Sequence, residues 1–169
     1  MQTTFLKARK PLVKEITKNG SKPYPLVKNF TSETHDISID KKGFNKLFRV
    51  ITTAAQQGAC MHKGPLKRAL KDEPRAFMSD RSTPTELLVL DIDGLRATPG
   101  DDIQAMADKI VLQLPDIFHD VSYIAQASAS LGIKKNQTSL HLFFLMDMPV
   151  HPKTLKDYLR MLNYECDFL

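Results

Sequence analysis

"LLVLDIDGLRATPG", residues 87–100, decides how this chain is read. An apolar run ends in two carboxylates spaced two residues apart, and side chains on a strand alternate faces with a period of two. Leu88, Leu90 and Ile92 can therefore enter a core while Val89, Asp91 and Asp93 share the opposite face. Two like charges held that close repel unless a cation or a basic group neutralises them. The pattern reads either as a solvated strand end running into a turn at Gly94 or as a ligand set for a divalent metal ion.

Downstream, Pro99-Gly100-Asp101 is a helix-start signal, and Ile103, Met106, Ala107, Ile110, Val111 and Leu114 lie on one stripe expected to be core, which Pro115 ends. Residues 121–130 (VSYIAQASAS) read as a strand, 131–138 as a loop and 139–147 as a second strand. Leu155, Tyr158, Leu159 and Leu162 then mark a closing helix. The order β-α-β-β-α is that of an RNA-recognition-motif-like, or ferredoxin-like, unit lacking its final strand. In such a unit the first and third strands are neighbours at the centre of the sheet.

Upstream, the first forty residues read as short strands and loops, with Asn19-Gly20 and two prolines supplying turn chemistry in "NGSKPYP". Phe44, Leu47, Phe48, Ile51, Ala54 and Ala55 recur at intervals of three and four, which predicts an amphipathic helix from after Asp40 to near Gly58. Pro65 and Pro74 bracket a second, short helix expected over 65–72, and 75–86 reads as a polar connector. The fold class is therefore α+β, with a basic αβ lobe over 1–85 and the RNA-recognition-motif-like lobe over 86–169, together one domain.

The chain has 169 residues, 42% of them hydrophobic, enough for one domain with a real core or for two small lobes. No run approaches the ~18 apolar residues of a membrane span, and "MQTTFLKARK" lacks the apolar centre of a signal peptide. Cys60 and Cys166 have neither CxxC spacing nor a nearby histidine cluster, so no zinc site or disulfide framework is expected and a reducing cytoplasm fits best. The formal charge is +5, unevenly spread: Lys7, Arg9, Lys10, Lys14, Lys18, Lys22 and Lys28 face the single acid Glu15 within residues 1–30, and Lys63, Lys67, Arg68 and Lys71 form a second cluster. A polyanionic partner accounts for this pattern, as do ordinary solvated lysines.

On the strand at 139–147, Ser139 and His141 project together, opposite the apolar set Leu140, Leu142, Phe144 and Met146. If the first and third strands are neighbours, Ser139 and His141 share an open face with Asp91 and Asp93, and Gln126, Ser128 and Ser130 can join from the second strand. Phe143, on the same face, is expected to pack. Carboxylates for a cation, with a hydroxyl and an imidazole for phosphate, are what nucleotidyl transfer requires. Hard oxygen ligands select Mg²⁺ or Mn²⁺ over zinc. His35, His62, His119 and His151 show no spacing that demands a role and are expected at the surface. Lys63 and Arg75 are candidates for contact with triphosphate or template.

"LLVLDIDG" resembles the hhhDhD motif, and "TSLHLFF" the sxH motif, of the archaeo-eukaryotic primase superfamily, especially the primase-polymerase domains of phage and plasmid replication proteins. The resemblance covers roughly residues 43–169, and "GACMHKGPL...EPRAF" is similar to a segment those proteins carry before the first motif. It implies that Asp91 and Asp93 bind the catalytic Mg²⁺ or Mn²⁺, and that Ser139 and His141 contact the phosphates of the incoming nucleotide, with Asp91, Asp93 and His141 as catalytic residues. It further implies a primase, or DNA polymerase, that joins nucleoside triphosphates on a single-stranded DNA template during replication. A helicase domain or partner would accompany it, in the cytoplasm of a bacterial or phage-infected cell. The family's third acid has no clear counterpart: Asp147 is too close to His141, Asp157 falls on a predicted helix, and Asp167 precedes any obvious strand. The expectation is a C-terminally truncated domain whose third carboxylate lies beyond Leu169.

Two other readings use the same residues. A haloacid-dehalogenase-type phosphatase also has a strand ending in "DIDG", with one Asp as nucleophile and the next as general acid. It normally places a Thr or Val where Leu95 stands, and places the motif near the N-terminus. A non-catalytic nucleic-acid-binding module would expose aromatics on its first and third strands, where this sequence offers acids.

Overall fold

The structure, a computed structural model, describes residues 1–17, 19–133 and 136–166. The chain is mixed α and β with antiparallel strand pairing and divides into two compact units: Met1–Glu86 with Met146–Lys153, and Leu87–Leu145 with the stretch from Thr154 onward.

In the first unit β1 (Gln2–Lys7) lies between β5 (Cys60–His62) and β4 (Asn29–Asp36), and β4 also pairs with β6 (Glu73–Pro74), all antiparallel. Being central, β1 buries neighbours on both faces: Thr3, Thr4, Phe5 and Leu6 are each no more than 3% exposed. A separate hairpin joins β2 (Glu15–Thr17) to β3 (Gly20–Lys22), turning at Asn19-Gly20 as the sequence indicates. Helix α1 spans Lys41–Gln56. Asp40 caps it by accepting from the Gly43 amide at 2.6 Å, which offsets one of the unpaired donors of a helix N-terminus. Its buried stripe is Gly43, Leu47, Ile51 and Ala54; Phe48 and Ala55, expected on that stripe, are exposed.

The helix expected at 65–72 does not form. Its backbone groups bond to distant partners instead: Lys67 N–H to Met78 O, Asp80 N–H to Pro65 O, and both main-chain groups of Leu70 to Ser32. Leu70, 1% exposed, is drawn into the core by those bonds, and Asp72 takes a φ of 52° that no α-helix admits. His62 also departs from its surface expectation. It is buried, with Nδ1 2.8 Å from Gly64 O and Nε2 2.9 Å from Ser79 Oγ. A carbonyl oxygen can only accept, so Nδ1 carries a proton toward Gly64 O, and Nε2 is hydrogen-bonded with the Ser79 hydroxyl. The side chain thus ties β5 to the loop that replaces the expected helix. His35 and His119 are half-buried and His151 is exposed.

The second unit contains most of the order read from the sequence: β7 (Thr85–Arg96), α2 (Ile103–Val111), a 3₁₀ turn at Asp116–Phe118, β8 (Tyr123–Ala127), β9 (Gln137–Val150) and α3 (Pro152–Glu165), the first two residues of β7, the last five of β9 and the first two of α3 falling in the first unit. The sheet order is β7-β9-β8, so the first and third strands of the unit are neighbours. Leu88, Leu90, Ile92, Leu140, Leu142 and Phe144 are all buried on one face. Met106, Ala107, Ile110 and Val111 of α2 join this core, while Ile103, expected on the same stripe, is 39% exposed. Asp102 caps α2 through the Ala105 amide at 2.8 Å. The helix ends at Val111, before Pro115, and the 3₁₀ turn that follows sets Phe118 edge-on against Phe144. Two boundaries differ in a way that matters for the site. β7 does not stop at Gly94 but runs through it, at φ 82°, to Arg96; and β8 ends at Ala127, three residues short of the end expected at Ser130.

Candidate active site

Strand pairing fixes which side chains stand level with one another. Across β8 and β9, Ile124 faces Phe143, Gln126 faces His141, and the Ser128 amide bonds Ser139 O at 2.9 Å. Across β7 and β9, the side chains of Asp91 and His141 meet, with Oδ1 to Nε2 at 3.1 Å, and the Ser139 hydroxyl donates to Asp93 Oδ1. As β7 advances from 91 to 93 its partners fall from 141 to 139, which is the antiparallel sense. The face therefore has three rungs across β7, β9 and β8: Val89, Phe143 and Ile124; then Asp91, His141 and Gln126; then Asp93, Ser139 and Ser128. It grades from apolar to polar along the strands, and Phe143, 4% exposed, packs as expected, its ring edge-on to that of His141.

The four residues singled out from the sequence, Asp91, Asp93, Ser139 and His141, thus stand together on one face. The two acids are not at a strand end, because β7 continues beyond them. Asp91 is half-exposed, His141 is one-third exposed, and Ser139 is buried. Because β8 ends early, its chain turns after Ser128, with Leu131 N–H bonded to Ser128 O at 3.1 Å. The turn brings Ser130 back to the sheet. Ser128 Oγ lies 2.5 Å and Ser130 Oγ 2.6 Å from Ser139 Oγ, and the two are 2.9 Å apart. Period-two alternation places Ser128 and Ser130 on the site face; their convergence on one hydroxyl depends on the turn, which the sequence did not signal.

Asp91 and Asp93 offer hard carboxylate oxygens on one exposed edge of a rung pair. That donor set fits a Mg²⁺ or Mn²⁺ bound through two carboxylates, with water or substrate phosphate completing its shell. Among the described residues no group of three His, Cys, Asp or Glu side chains gathers in ligand geometry. Asp157, on α3, is 3.7 Å from Arg160, and Asp147 is an exposed residue of β9. Asp167, the remaining candidate for a third acid, lies outside the described residues. Lys63 and Arg75 belong to the first unit. Lys63 is exposed, and the Arg75 guanidinium sits 6.0 Å above the Phe30 ring.

A network the sequence did not reveal lies between α2 and β8. Tyr123 donates to Asp108 Oδ1, and the Gln104 amide donates to both the Tyr123 hydroxyl (2.8 Å) and Asp108 Oδ1 (2.9 Å). Burial, and then the bond to Asp108, push the Tyr123 phenol up to about 12. The i, i+4 spacing of Gln104 and Asp108 is visible in the sequence; their joint tyrosine partner is not.

No family model, no curated protein and no solved structure matches this chain. Among the described residues no helix is long and apolar enough to cross a membrane.

Proposed function

We propose that the chain is the catalytic domain of a primase-polymerase of the archaeo-eukaryotic type, with an RNA-recognition-motif-like second unit, that joins nucleoside triphosphates on a single-stranded DNA template. The observation that carries this reading is the facing of Asp91 with His141, and of Asp93 with Ser139, across adjacent strands. Two residue pairs far apart in sequence meet where a nucleotidyltransferase needs cation ligands beside an imidazole that can handle phosphate and a hydroxyl that holds one of the ligands.

Asp91 and Asp93 would hold the Mg²⁺ or Mn²⁺, which when bound supplies charge neutralisation for the triphosphate and acidifies the attacking 3′-hydroxyl. His141, partly open to solvent beside Asp91, orients a phosphate oxygen by donating from its imidazole when Asp91 turns to the cation. Gln126, level with His141 in the next strand, offers a further amide for the same ligand. The Phe143 and Ile124 end of the face gives the site an apolar floor.

Two features weigh against the alternatives. A phosphatase of the haloacid-dehalogenase type uses a strand that ends at its acids, whereas β7 passes through both acids and Gly94 to Arg96. A simple nucleic-acid-binding module stacks bases on exposed aromatics of the central strands; Phe143 is buried and β7 presents carboxylates.

The test is template-directed incorporation of labelled nucleotides with Mn²⁺ or Mg²⁺. The double change Asp91→Ala/Asp93→Ala is expected to reduce product by at least about a thousandfold, the scale lost when a key electrostatic group is removed. Product equal to wild type from that variant, or metal-independent oligonucleotide binding without turnover, overturns the assignment.

A further inference from the structure

We propose that Ser128 and Ser130 are positioning residues that act through Ser139 to hold the Asp93 carboxylate in its cation-binding orientation. This rests on the metal role given above to Asp91 and Asp93, and it assigns the serines of β8 and its following turn a part that neither motif contains.

A serine hydroxyl has one proton to donate and two lone pairs to accept with, and a carboxylate oxygen only accepts. Ser139 Oγ is in contact with Asp93 Oδ1, Ser128 Oγ and Ser130 Oγ, and Ser128 and Ser130 also touch each other. Four contacts are shared by three hydroxyl protons. The contact with Asp93 can be filled only by the proton of Ser139, so Ser139 is an acceptor toward its two serine neighbours. Either both donate into it, filling both lone pairs, or one donates to the other, which in turn donates its own proton to Ser139. In each arrangement the Ser139 proton is committed to Asp93.

Two consequences follow for the site. Ser139 is 5% exposed and has no second proton, so it cannot donate to a phosphate oxygen while it holds Asp93. Its contribution is to fix the rotamer of a carboxylate that otherwise swings freely at an exposed position of β7, leaving the second oxygen of Asp93 to face a cation. The hydroxyls of Ser128 and Ser130 keep Ser139 from rotating away, because each alternative staggered position breaks at least one of these bonds. Hydrogen-bonding partners of metal ligands commonly set metal affinity in this manner.

The experiment measures Mn²⁺ binding to the whole chain without nucleotide, by the loss of the free-ion paramagnetic resonance signal. Ser128→Ala/Ser130→Ala is expected to weaken Mn²⁺ by about 10-fold, each single alanine change by less, and Ser128→Thr, which keeps the hydroxyl, to retain the wild-type value. Circular dichroism and the thermal midpoint are read on the same samples, and the single variants serve if the double variant does not fold. Wild-type Mn²⁺ affinity in the serine variants, alongside loss of binding in Asp91→Ala/Asp93→Ala, overturns the positioning role and leaves the proposed activity standing. So does a fall in nucleotide affinity without change in Mn²⁺ affinity, which would make the serines phosphate contacts. Retention of Mn²⁺ affinity by Asp91→Ala/Asp93→Ala overturns both proposals.

Discussion

A methyl group on Gly43 would stand 1.8 Å from the carbonyl oxygen of Ser38 and 2.6 Å from its carbon, backbone atoms that cannot step aside. Glycine in the first turn of a helix is poor by propensity, and here the close approach of the 38–40 segment that caps α1 requires it. Gly43→Ala is therefore expected to destabilise the protein by about 3 kcal/mol, an overpacking cost, measured by urea unfolding; a change under about 0.5 kcal/mol would show that the cap segment moves freely. Tyr123 gives a second test. Its folded value of about 12 lies above the ordinary 10, so the neutral phenol is the form the fold favours. Its contribution to stability is complete below pH 10 and declines as pH rises from 10 to 12. In an ultraviolet phenolate titration, wild type minus Tyr123→Phe should show one tyrosine ionising late, and Asp108→Asn should bring it earlier. At this scale two pairings were legible: Asp91 with Asp93, and Ser139 with His141, share a face by strand alternation alone, because a period of two needs no knowledge of neighbours, whereas the meeting of the two pairs rests on the strand order. His62 was not legible, since its burial depends on a carbonyl two residues on and a hydroxyl seventeen residues on, reached only through the loop.

Elements whose signals are local matched their reading, and those that depend on distant partners did not. Asp40 followed by an apolar stripe yields α1, and Asp102 with its stripe yields α2, because caps and periodicity act within one or two turns. The segment 65–72 has proline punctuation suited to a helix, yet Ser32, Met78 and Asp80 compete for its backbone and win. Its last residues lead instead into β6, where Arg68 grips Glu73 with two parallel bonds of 2.5 Å. That grip, with the Lys71 amide, lowers the Glu73 carboxyl from 4.5 to about 2. A depressed acid stabilises the fold at pH above its unfolded value and loses that effect as pH falls toward its folded one. The thermal midpoint of the wild type is thus expected to drop between pH 4.5 and pH 2 by more than that of Glu73→Gln, which lacks the titrating group. Parallel pH profiles for the two proteins would show that the pair is too solvated to matter. β7 and β9 ran longer than expected, past Gly94 and past Asp147, where the residues alone suggest a stop; just beyond the end of β7, the Ala97 amide still bonds Asn136 O beside β9, at 2.9 Å.

For the molecule as a whole, the β7-β9-β8 order was readable because a β-α-β-β-α succession leaves few connections that are short and right-handed. The four-stranded sheet of the first unit was not, since β1 and β4 pair across a span holding a separate hairpin, and residues 1–40 carry turn signals rather than alternation. That sheet alters the meaning of the basic N-terminal run. Lys7, Arg9 and Lys22 are paired with Glu33, Asp72 and Glu15, which leaves them little net charge to offer a polyanion, and Lys18 lies outside the described residues. Lys10, Lys14 and Lys28 are exposed and have no ion-pair partner among the described residues. For the proposed activity on single-stranded DNA, these three, rather than the run as a whole, are expected to make the phosphate contacts of the first unit. Each contact to a single strand contributes about 0.7 to the slope of log affinity against log salt. Changing all three to alanine is therefore expected to lower that slope by about 2 in titrations of a labelled oligonucleotide, and to weaken binding to every sequence alike, because phosphate contacts carry no base information. An unchanged slope would remove this surface from the interface and shift the contact to the second cluster, where Lys63, Lys67 and Lys71 are exposed while Arg68 is held by Glu73.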